Sequence, residues 1–261
     1  MPPERRGDAP PMNPLFRGFL DLLYPPRCEA CGRLRREPIC GECLAQIERI
    51  EPPVCEVCGV AFDPRARGAP KCEECRGRRK PFRIVRTAAH YTGPLADAIR
   101  RFKYDGQIVL AKPLSAIMSE ALANGAEGLA PATLDVICPV PLHASRLRER
   151  GFNQSALLAE HVSQAIGKSV RPLLERTRPT APQVDLPAPS RAANVRGAFA
   201  AVLTEVIAGQ RVLLIDDLYT TGATLTECAR ALNRAGAAEV RVLTLARPLP
   251  RWRVPVQRDP P

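Results

Sequence analysis

The apolar positions of the chain alternate between short continuous runs and longer stretches with helical spacing. Four continuous runs predict strands that are buried on both faces: 84–91, 134–140, 211–215 and 240–245. Four stretches with apolar residues on one helix face predict helices: 95–104, 109–123, 152–166 and 225–235. Strands that alternate with helices favour an α/β fold with a mostly parallel sheet, whose ligands bind at the carboxyl ends of the strands.

Both ends of the chain have a different character. Residues 1–13 carry four prolines and no apolar run, which predicts a disordered tail, and residues 249–261 read as a Pro/Arg tail. Between residues 15 and 24 the apolar side chains share one helix face, which ends at Pro25. We interpret this segment as a short helix docked on the protein; a membrane or partner helix is the alternative.

Paired cysteines dominate the segment before the first strand. Eight of the ten cysteines form four Cys-x-x-C pairs, a spacing at which two thiolates reach one tetrahedral zinc ion. Sequential pairing predicts two structural zinc ions, and interleaved pairing is the alternative. The sequential ligand sets are Cys28, Cys31, Cys40 and Cys43, followed by Cys55, Cys58, Cys72 and Cys75. We therefore expect a helix and a double zinc ribbon over 14–80, and a second domain over 81–248.

A cluster of acidic and hydroxyl side chains follows the third predicted strand. Val212–Ile215 is apolar, two acids follow, and a loop with three threonines and a glycine leads into the last helix. Loop amides and a helix N-terminus suit a phosphate, while the carboxylates of Asp216 and Asp217 can accept hydrogen bonds from ribose hydroxyls. The phosphate loop is defined here as Thr220, Thr221, Gly222, Ala223 and Thr224.

This run resembles the signature of the type I phosphoribosyltransferases, which bind phosphoribosyl pyrophosphate (PRPP). The second predicted strand continues as Pro-Val-Pro-Leu (139–142), and Arg-Glu-Arg-Gly-Phe-Asn-Gln follows at 148–154. Together with the paired cysteines upstream, these motifs are similar to those of the ComF family, phosphoribosyltransferase homologues with a double zinc ribbon. The resemblance covers roughly residues 20–248 and implies a type I phosphoribosyltransferase-like sheet.

The resemblance also implies roles for individual residues. Asp216 and Asp217 would act in catalysis with Arg191 and Arg196, which lie on a long segment (176–197) expected to close over PRPP with its Mg²⁺. For either arginine implied in pyrophosphate binding, Arg148 or Arg150, a solvated position at the start of a helix is an equally good interpretation. The residues implied in pyrophosphate binding are Pro141, Leu142, Arg148, Arg150, Asn153 and Lys103.

Net charge and hydropathy limit the classes of partner and the location of the protein, but they do not identify one partner. The net charge of +11 suits an anionic partner, which could be pyrophosphate or nucleic acid, although such charge also serves solubility alone. No apolar stretch reaches 18 residues, so we expect no membrane insertion and a cytoplasmic location.

Two functions remain open at this stage. The first is an enzyme that transfers a phosphoribosyl group to an unknown nitrogen acceptor with release of pyrophosphate. The second is a non-catalytic protein that senses PRPP or a nucleotide, or binds single-stranded DNA, since the family resemblance implies a link to competence and to DNA-uptake proteins. The segment 92–133, which we expect to choose the acceptor, shows no readable base-recognition pattern.

Overall fold

A computed structural model describes residues 24–63, 65, 70–124, 128–180 and 188–253. The tail predicted at 1–13, all but Tyr24 of the apolar segment 15–24, and residues 254–261 lie outside this described part of the chain. Residues 181–187, in the middle of the predicted closing segment, lie outside it as well.

Four parallel strands form the central sheet, in the order β1-β6-β5-β2, and two short antiparallel strands, β3 and β4, pair separately. The sheet confirms the predicted α/β class. The strands are β1 (Ile84–His90), β2 (Val136–Pro139), β3 (Leu174–Arg176), β4 (Phe199–Ala201), β5 (Arg211–Leu218) and β6 (Glu239–Arg247).

Helices cover both faces of this sheet, as expected for parallel strands that are apolar throughout. Ile99 and Leu158 pack with Leu213 on one face, whereas Leu225 and Cys228 pack beneath Leu214 on the other. The helices are α1 (Gly41–Ala45), α2 (Gly93–Tyr104), α3 (Ala111–Ala123), α4 (Ala144–Arg150), α5 (Gln154–Ile166), α6 (Ala188–Val195), α7 (Thr204–Ile207) and α8 (Ala223–Arg234). Within the described ranges, every helix is too short or too polar to cross a membrane.

Two segments for which the sequence predicts no helix contain one. Residues 144–150 form α4, where the ring of His143 accepts a hydrogen bond from the Ser145 backbone N–H at 3.2 Å. Residues 188–195 form α6, so the segment 176–197 is not structureless throughout. Helix α4 has no buried residue, and the hydrophobic pattern by which helices are recognised is therefore absent from it.

The cysteine-rich segment is docked along the edge strand β1. Val85 donates to the Val57 carbonyl at 2.7 Å, while Ile50 donates to Ala88 at 3.0 Å and His90 to Glu48 at 2.8 Å. These bonds satisfy backbone groups that an edge strand would otherwise leave open. The ribbons are thereby fixed to the sheet that carries the site described next.

Candidate functional site

The eight paired cysteines form two compact clusters. Within each cluster the four Sγ atoms lie within 4.8 Å of one another, and the sets are the sequential ones predicted above. The Sγ atoms of Cys28 and Cys43 are 3.8 Å apart, and those of Cys58 and Cys72 are 3.6 Å apart. Tetrahedral zinc with Zn–S bonds of about 2.3 Å requires sulfur atoms about 3.8 Å apart, so both clusters fit structural zinc. The interleaved alternative does not match this structure.

One thiol in each cluster is prepared as a thiolate. Burial opposes the ionisation of Cys28, yet backbone N–H groups, first that of Cys40, lower its pKa to about 6. A hydrogen bond from Cys58 lowers the pKa of Cys55 to about 4 in spite of burial. Burial raises the pKa of Cys43 and of Cys75, so those thiols must lose protons when zinc binds.

A cavity of about 400 Å³ opens at the carboxyl ends of β2 and β5. This is the edge at which parallel sheets bind ligands. Its wall combines two acids, five basic side chains, and apolar or aromatic groups that include Tyr91, Tyr104 and Pro248. The basic members are Lys103, Arg146, Arg150, Arg176 and Arg191.

The two acids belong to β5 itself rather than to the loop after it. Strand β5 continues to pair with β6 at Asp216 and Leu218, so both Asp216 and Asp217 are buried. Ser155 on α5 donates to Asp216 Oδ1 at 2.9 Å, and the Asp217 backbone N–H donates to the same oxygen at 3.0 Å. Burial, and secondarily the charge of Asp217, raises the pKa of Asp216 to about 7.

Lys103, in the last turn of α2, forms an ion pair with one of these acids. Its Nζ lies 2.6 Å from Asp217 Oδ2, and both side chains are largely buried. Although burial alone would lower the pKa of Lys103, the charge of Asp217 and a hydrogen bond to it raise that pKa. The lysine is therefore a protonated cation on the carboxylate wall of the cavity.

The phosphate loop joins β5 to α8 below the cavity. Gly222 is the N-cap of α8 with φ of +73°, and Thr220 and Thr224 line the cavity. A Cβ at Gly222 would stand 2.6 Å from the hydroxyl of Tyr219. The glycine is thus required by both its backbone angle and a buried tyrosine.

Four arginines line the same cavity as the acids and are called the basic wall here. Arg146 and Arg150 lie one turn apart on α4, and Arg150 stacks on Tyr104 with 5.4 Å between its Cζ atom and the ring centroid. Arg176 stacks on Phe199 at 5.3 Å, and its buried Nε has no hydrogen-bond partner among the described residues. An unsatisfied donor on a cavity-lining guanidinium suits an anionic ligand oxygen.

Several residues selected from the sequence lie elsewhere. Arg148 is exposed and faces away from the cavity, because it is offset by two positions from Arg146 and Arg150 on a helix. Asn153 caps α5: its Oδ1 accepts from Ser155 N, and its Nδ2 donates to the Val140 carbonyl. Arg196 is exposed, and its carbonyl accepts from Arg178.

Thr221, Gly222 and Ala223 do not line the cavity either, whereas Pro141, Leu142, Arg191 and the acids do. Sequence reasoning missed Arg146, Arg176 and Ser155. Only Arg146 could have been found, from its spacing of four residues to Arg150. The other two reach the site through the fold, from β3 and α5.

Comparisons with known proteins agree with this geometry. A family model described as a double zinc ribbon domain matches residues 19–76, and one described as a phosphoribosyl transferase domain matches 121–259. Competence protein F of Haemophilus influenzae is 30% identical over 226 residues, which cover 85% of this chain and 96% of that protein. The chain belongs to the competence protein F (ComF) family. DNA utilization protein YhgH of Escherichia coli K12, 32% identical over 232 residues, covers 87% of this ComF-family chain and is itself covered completely.

A solved structure, the glutamine PRPP amidotransferase of B. subtilis complexed with ADP and GMP, aligns with 52% of the ComF-family chain and 26% of its own length. That alignment has 22% identity and a TM-score of 0.36. It is too loose to add to the family assignment, which rests on the matches in sequence.

Proposed function

We propose that this ComF-family protein binds PRPP in the 400 Å³ cavity and transfers its phosphoribosyl group to a nitrogen nucleophile with release of pyrophosphate. The observation that carries the proposal is the combination of acidic, hydroxyl and basic side chains around one cavity. Two buried acids, two threonines of the phosphate loop and four arginines line the same cavity. The acids with the phosphate loop are called the acid side below, and the arginines the basic side. A ligand with vicinal hydroxyls, a terminal phosphate and a diphosphate presents the complementary groups.

The acid side would hold the ribose 5-phosphate portion. Carboxylates accept hydrogen bonds from vicinal hydroxyls, which suits Asp216 and Asp217. The N-terminus of α8 and the hydroxyls of Thr220 and Thr224 suit the phosphate, because backbone N–H groups and the positive end of the helix dipole favour an anion.

The basic side would hold the pyrophosphate and favour its departure. Guanidinium groups pair with phosphate oxygens bidentately, which suits Arg146, Arg150 and Arg176. In the proposed step a nitrogen lone pair forms a bond to C1 of the ribose while the C1–O bond to pyrophosphate breaks. Pyrophosphate leaves with the electron pair, and the surplus proton on nitrogen passes to solvent. Cations in contact with the leaving group stabilise the charge that develops on it.

The closing segment belongs to the same proposal. Arg191 on α6 lines the cavity, and movement of this helix toward the ligand would exclude water from the ribose cation. Arg196 begins outside the cavity, with its backbone carbonyl bound to Arg178. A role for Arg196 would therefore require a rearrangement of this anchor.

Magnesium would enter with PRPP rather than bind to the protein alone. Asp217 is already engaged by Lys103, and the only groups of three or more ligand-type side chains among the described residues are the cysteine clusters. Mg²⁺ prefers six oxygen ligands and keeps its waters, so diphosphate oxygens would provide most of the ligands. The ion would neutralise part of the charge on the leaving group.

The cysteine clusters would hold one structural zinc ion each, because four thiolates leave no open position on the metal. A cytoplasmic location belongs to the proposal, since paired thiols persist in a reducing compartment. Relatives bear the names competence protein F and DNA utilization protein, and we extend that link to DNA uptake or use to this chain.

Helix α4 provides a matched test of PRPP binding. Arg150→Ala removes a cavity arginine, and we expect at least a tenfold loss of Mg-PRPP affinity by calorimetry, since a charge-assisted bidentate pair is lost. Arg148→Ala removes the same charge from the exposed side of the same helix, and we expect less than a twofold effect. Radiolabelled pyrophosphate release with a panel of nucleobases and amines then tests turnover.

If the two variants lose Mg-PRPP affinity equally, the loss is due to net charge alone, and the assignment of the basic wall is contradicted. Wild-type protein that fails to bind millimolar Mg-PRPP would overturn the proposal as a whole. Binding without pyrophosphate release for any acceptor would favour the non-catalytic alternative.

A second candidate function, contact with single-stranded DNA, draws on Tyr104. This ring is 61% exposed beside the cavity, and Arg150 stacks on it. Exposed aromatics with nearby arginines suit base stacking. Single-strand affinity that is absent at low salt, or unaffected by Tyr104→Ala, would remove this candidate.

A further inference from the structure

The second cysteine cluster (Cys55, Cys58, Cys72 and Cys75) is joined to the phosphate loop by two buried side chains. We propose that Tyr219 and Arg247 are positioning residues that hold the phosphate loop in its binding conformation and couple ligand binding there to metal binding in the second cluster. This inference rests on the proposed function, because PRPP is the ligand whose binding would reveal the coupling.

The first link connects the cluster to the end of the sheet. Arg247, the last residue of β6, is 8% exposed and donates from its Nη1 to the Cys58 carbonyl at 2.7 Å. The backbone carbonyl of a cluster cysteine is fixed only while the knuckle around it is folded. An arginine with this partner therefore depends on the local fold that metal would maintain.

The second link connects Arg247 to the loop. Its Cζ atom lies 4.8 Å from the centroid of the Tyr219 ring, which is 5% exposed. Tyr219 is also held by its backbone, which donates to Ala246 at 2.9 Å. Stacking on an arginine restricts the ring to one position.

The third link is the contact between Tyr219 and Gly222. The site of a Cβ on Gly222 lies 2.6 Å from the tyrosine hydroxyl and 2.8 Å from its Cζ, so the backbone of the N-cap rests directly on the ring. A change in the position of the ring must therefore move the start of α8, which offers its N–H groups to the ligand. Three consecutive contacts thus separate Cys58 from the phosphate loop.

The first cluster provides an internal contrast. Cys28, Cys40 and Cys43 pack with α2 and α3 on the other face of the sheet, whereas Cys55, Cys58 and Cys75 share a packed group with Tyr219 and Ala223. The first ribbon is tied to α2 by an ion pair between Glu29 and Arg101 at 3.0 Å. Coupling to the phosphate loop is therefore expected of one cluster and not of the other.

Linkage provides the test, because a ligand that favours a metal-bound state must in turn be favoured by the metal. Full-length protein with two zinc ions is titrated at equilibrium with a zinc-selective chelator, with and without saturating Mg-PRPP. We expect PRPP to raise the zinc affinity of the second cluster at least fivefold and to leave that of the first cluster within twofold. PRPP binding is verified in the same samples by calorimetry.

Variants identify the path. Arg247→Ala and Tyr219→Leu should retain two zinc ions and reduce the PRPP-dependent change at the sensitive site to less than twofold. Tyr219→Phe retains the ring, so its PRPP-dependent change in zinc affinity should equal that of wild type. Arg101→Ala, the control, breaks the ion pair of the first ribbon and should preserve the coupling.

The outcomes separate the inference from the function beneath it. PRPP that binds without changing either zinc affinity overturns the coupling and leaves the proposed function intact. PRPP that does not bind to wild-type protein overturns both. If the coupling survives in Arg247→Ala, the path through Arg247 and Tyr219 does not carry it. This result can be obtained even if the Tyr219→Leu variant does not fold.

Discussion

Asp216 is buried, although its position directly after an apolar run predicts a solvent-exposed strand end. Sequence places a carboxylate at a strand end, where solvent would keep it charged, but pairing with β6 continues past it and buries it. Burial beside Asp217 raises its pKa to about 7, while Lys103 and the Ser155 hydroxyl act in the opposite direction. At neutral pH the acid pair therefore carries a proton for part of the time.

This shift makes stability depend on pH. With a pKa near 7 in the folded state and near 4 in the unfolded chain, Asp216 makes a contribution to stability that is fully present below about pH 4 and is lost as pH rises through 7. We expect Asp216→Asn, which does not titrate, to gain roughly 2–3 kcal/mol relative to wild type between pH 5 and pH 8. Urea unfolding of both proteins at the two pH values measures the difference.

Comparison with wild type cancels the contribution of groups that do not interact with Asp216, the histidines included. Ser155 still finds an acceptor in the asparagine side chain, so the lost hydrogen bonds are few. A gap in stability that is constant across this pH range would contradict a buried, raised Asp216.

At the scale of elements, α4 and α5 arrange the basic wall. Helix α4 places Arg146 and Arg150 on one side, and Gly151 ends it in the left-handed region with φ of +80°. Asn153 then starts α5, and α5 carries Ser155 to the acids. Asparagine in a motif thought to bind pyrophosphate thus has a clear structural task, whatever ligand contact it makes.

Asn153 allows that task to be measured. We expect Asn153→Ala to lower the free energy of unfolding by about 1–2 kcal/mol, since it removes a cap acceptor and leaves the Val140 carbonyl without its donor. Asn153→Asp keeps the acceptor and loses only the donor, so its loss should be smaller. Midpoints of urea unfolding without ligand compare the two, and identical midpoints for wild type and Asn153→Ala would refute the capping role.

At the scale of the whole molecule, the ribbons complete the sheet. They cover the edge strand β1 through backbone hydrogen bonds, which the Val57 and Glu48 carbonyls accept and the Ile50 N–H donates. The turn Arg251–Arg253 returns to both ribbons, because Trp252 donates to Ala61 at 3.2 Å and Arg253 pairs with Glu48 at 2.6 Å. The boundary proposed between residues 80 and 81 remains a prediction, and many contacts cross it.

The accessible cysteines provide the test of metal content at this scale. Cys31 is exposed and Cys72 is half-buried, so serine at either position leaves little cavity. Elemental analysis should find two zinc ions in wild type and one in each of Cys31→Ser and Cys72→Ser. We also expect a lower melting temperature and, on warming, concentration-dependent association as the β1 edge is uncovered. Less than one zinc ion per wild-type chain, purified without chelator, would refute structural zinc.

Patterns in the sequence located the main elements because their causes are local. Strands buried on both faces must be apolar throughout, and helices packed on them must be apolar at every third or fourth position. The strand at 84–91 and the helix at 152–166 are therefore found within about two residues of their observed bounds. Helix α4 was missed because an exposed helix has no such pattern, and β5 was ended too early because Asp216 is polar.

The sequence by itself determined the fold class, the four Cys-x-x-Cys pairs and the loop–helix junction after β5. All three follow from neighbours in the chain: residue periodicity, ligand spacing, and the order of acids, threonines and glycine. Only the tertiary structure decided that Lys103 meets Asp217, that Arg176 enters the cavity, and that Tyr219 links Gly222 to Arg247. These partners come from separate elements, and side chains distant in sequence meet only because the packing of those elements brings them together.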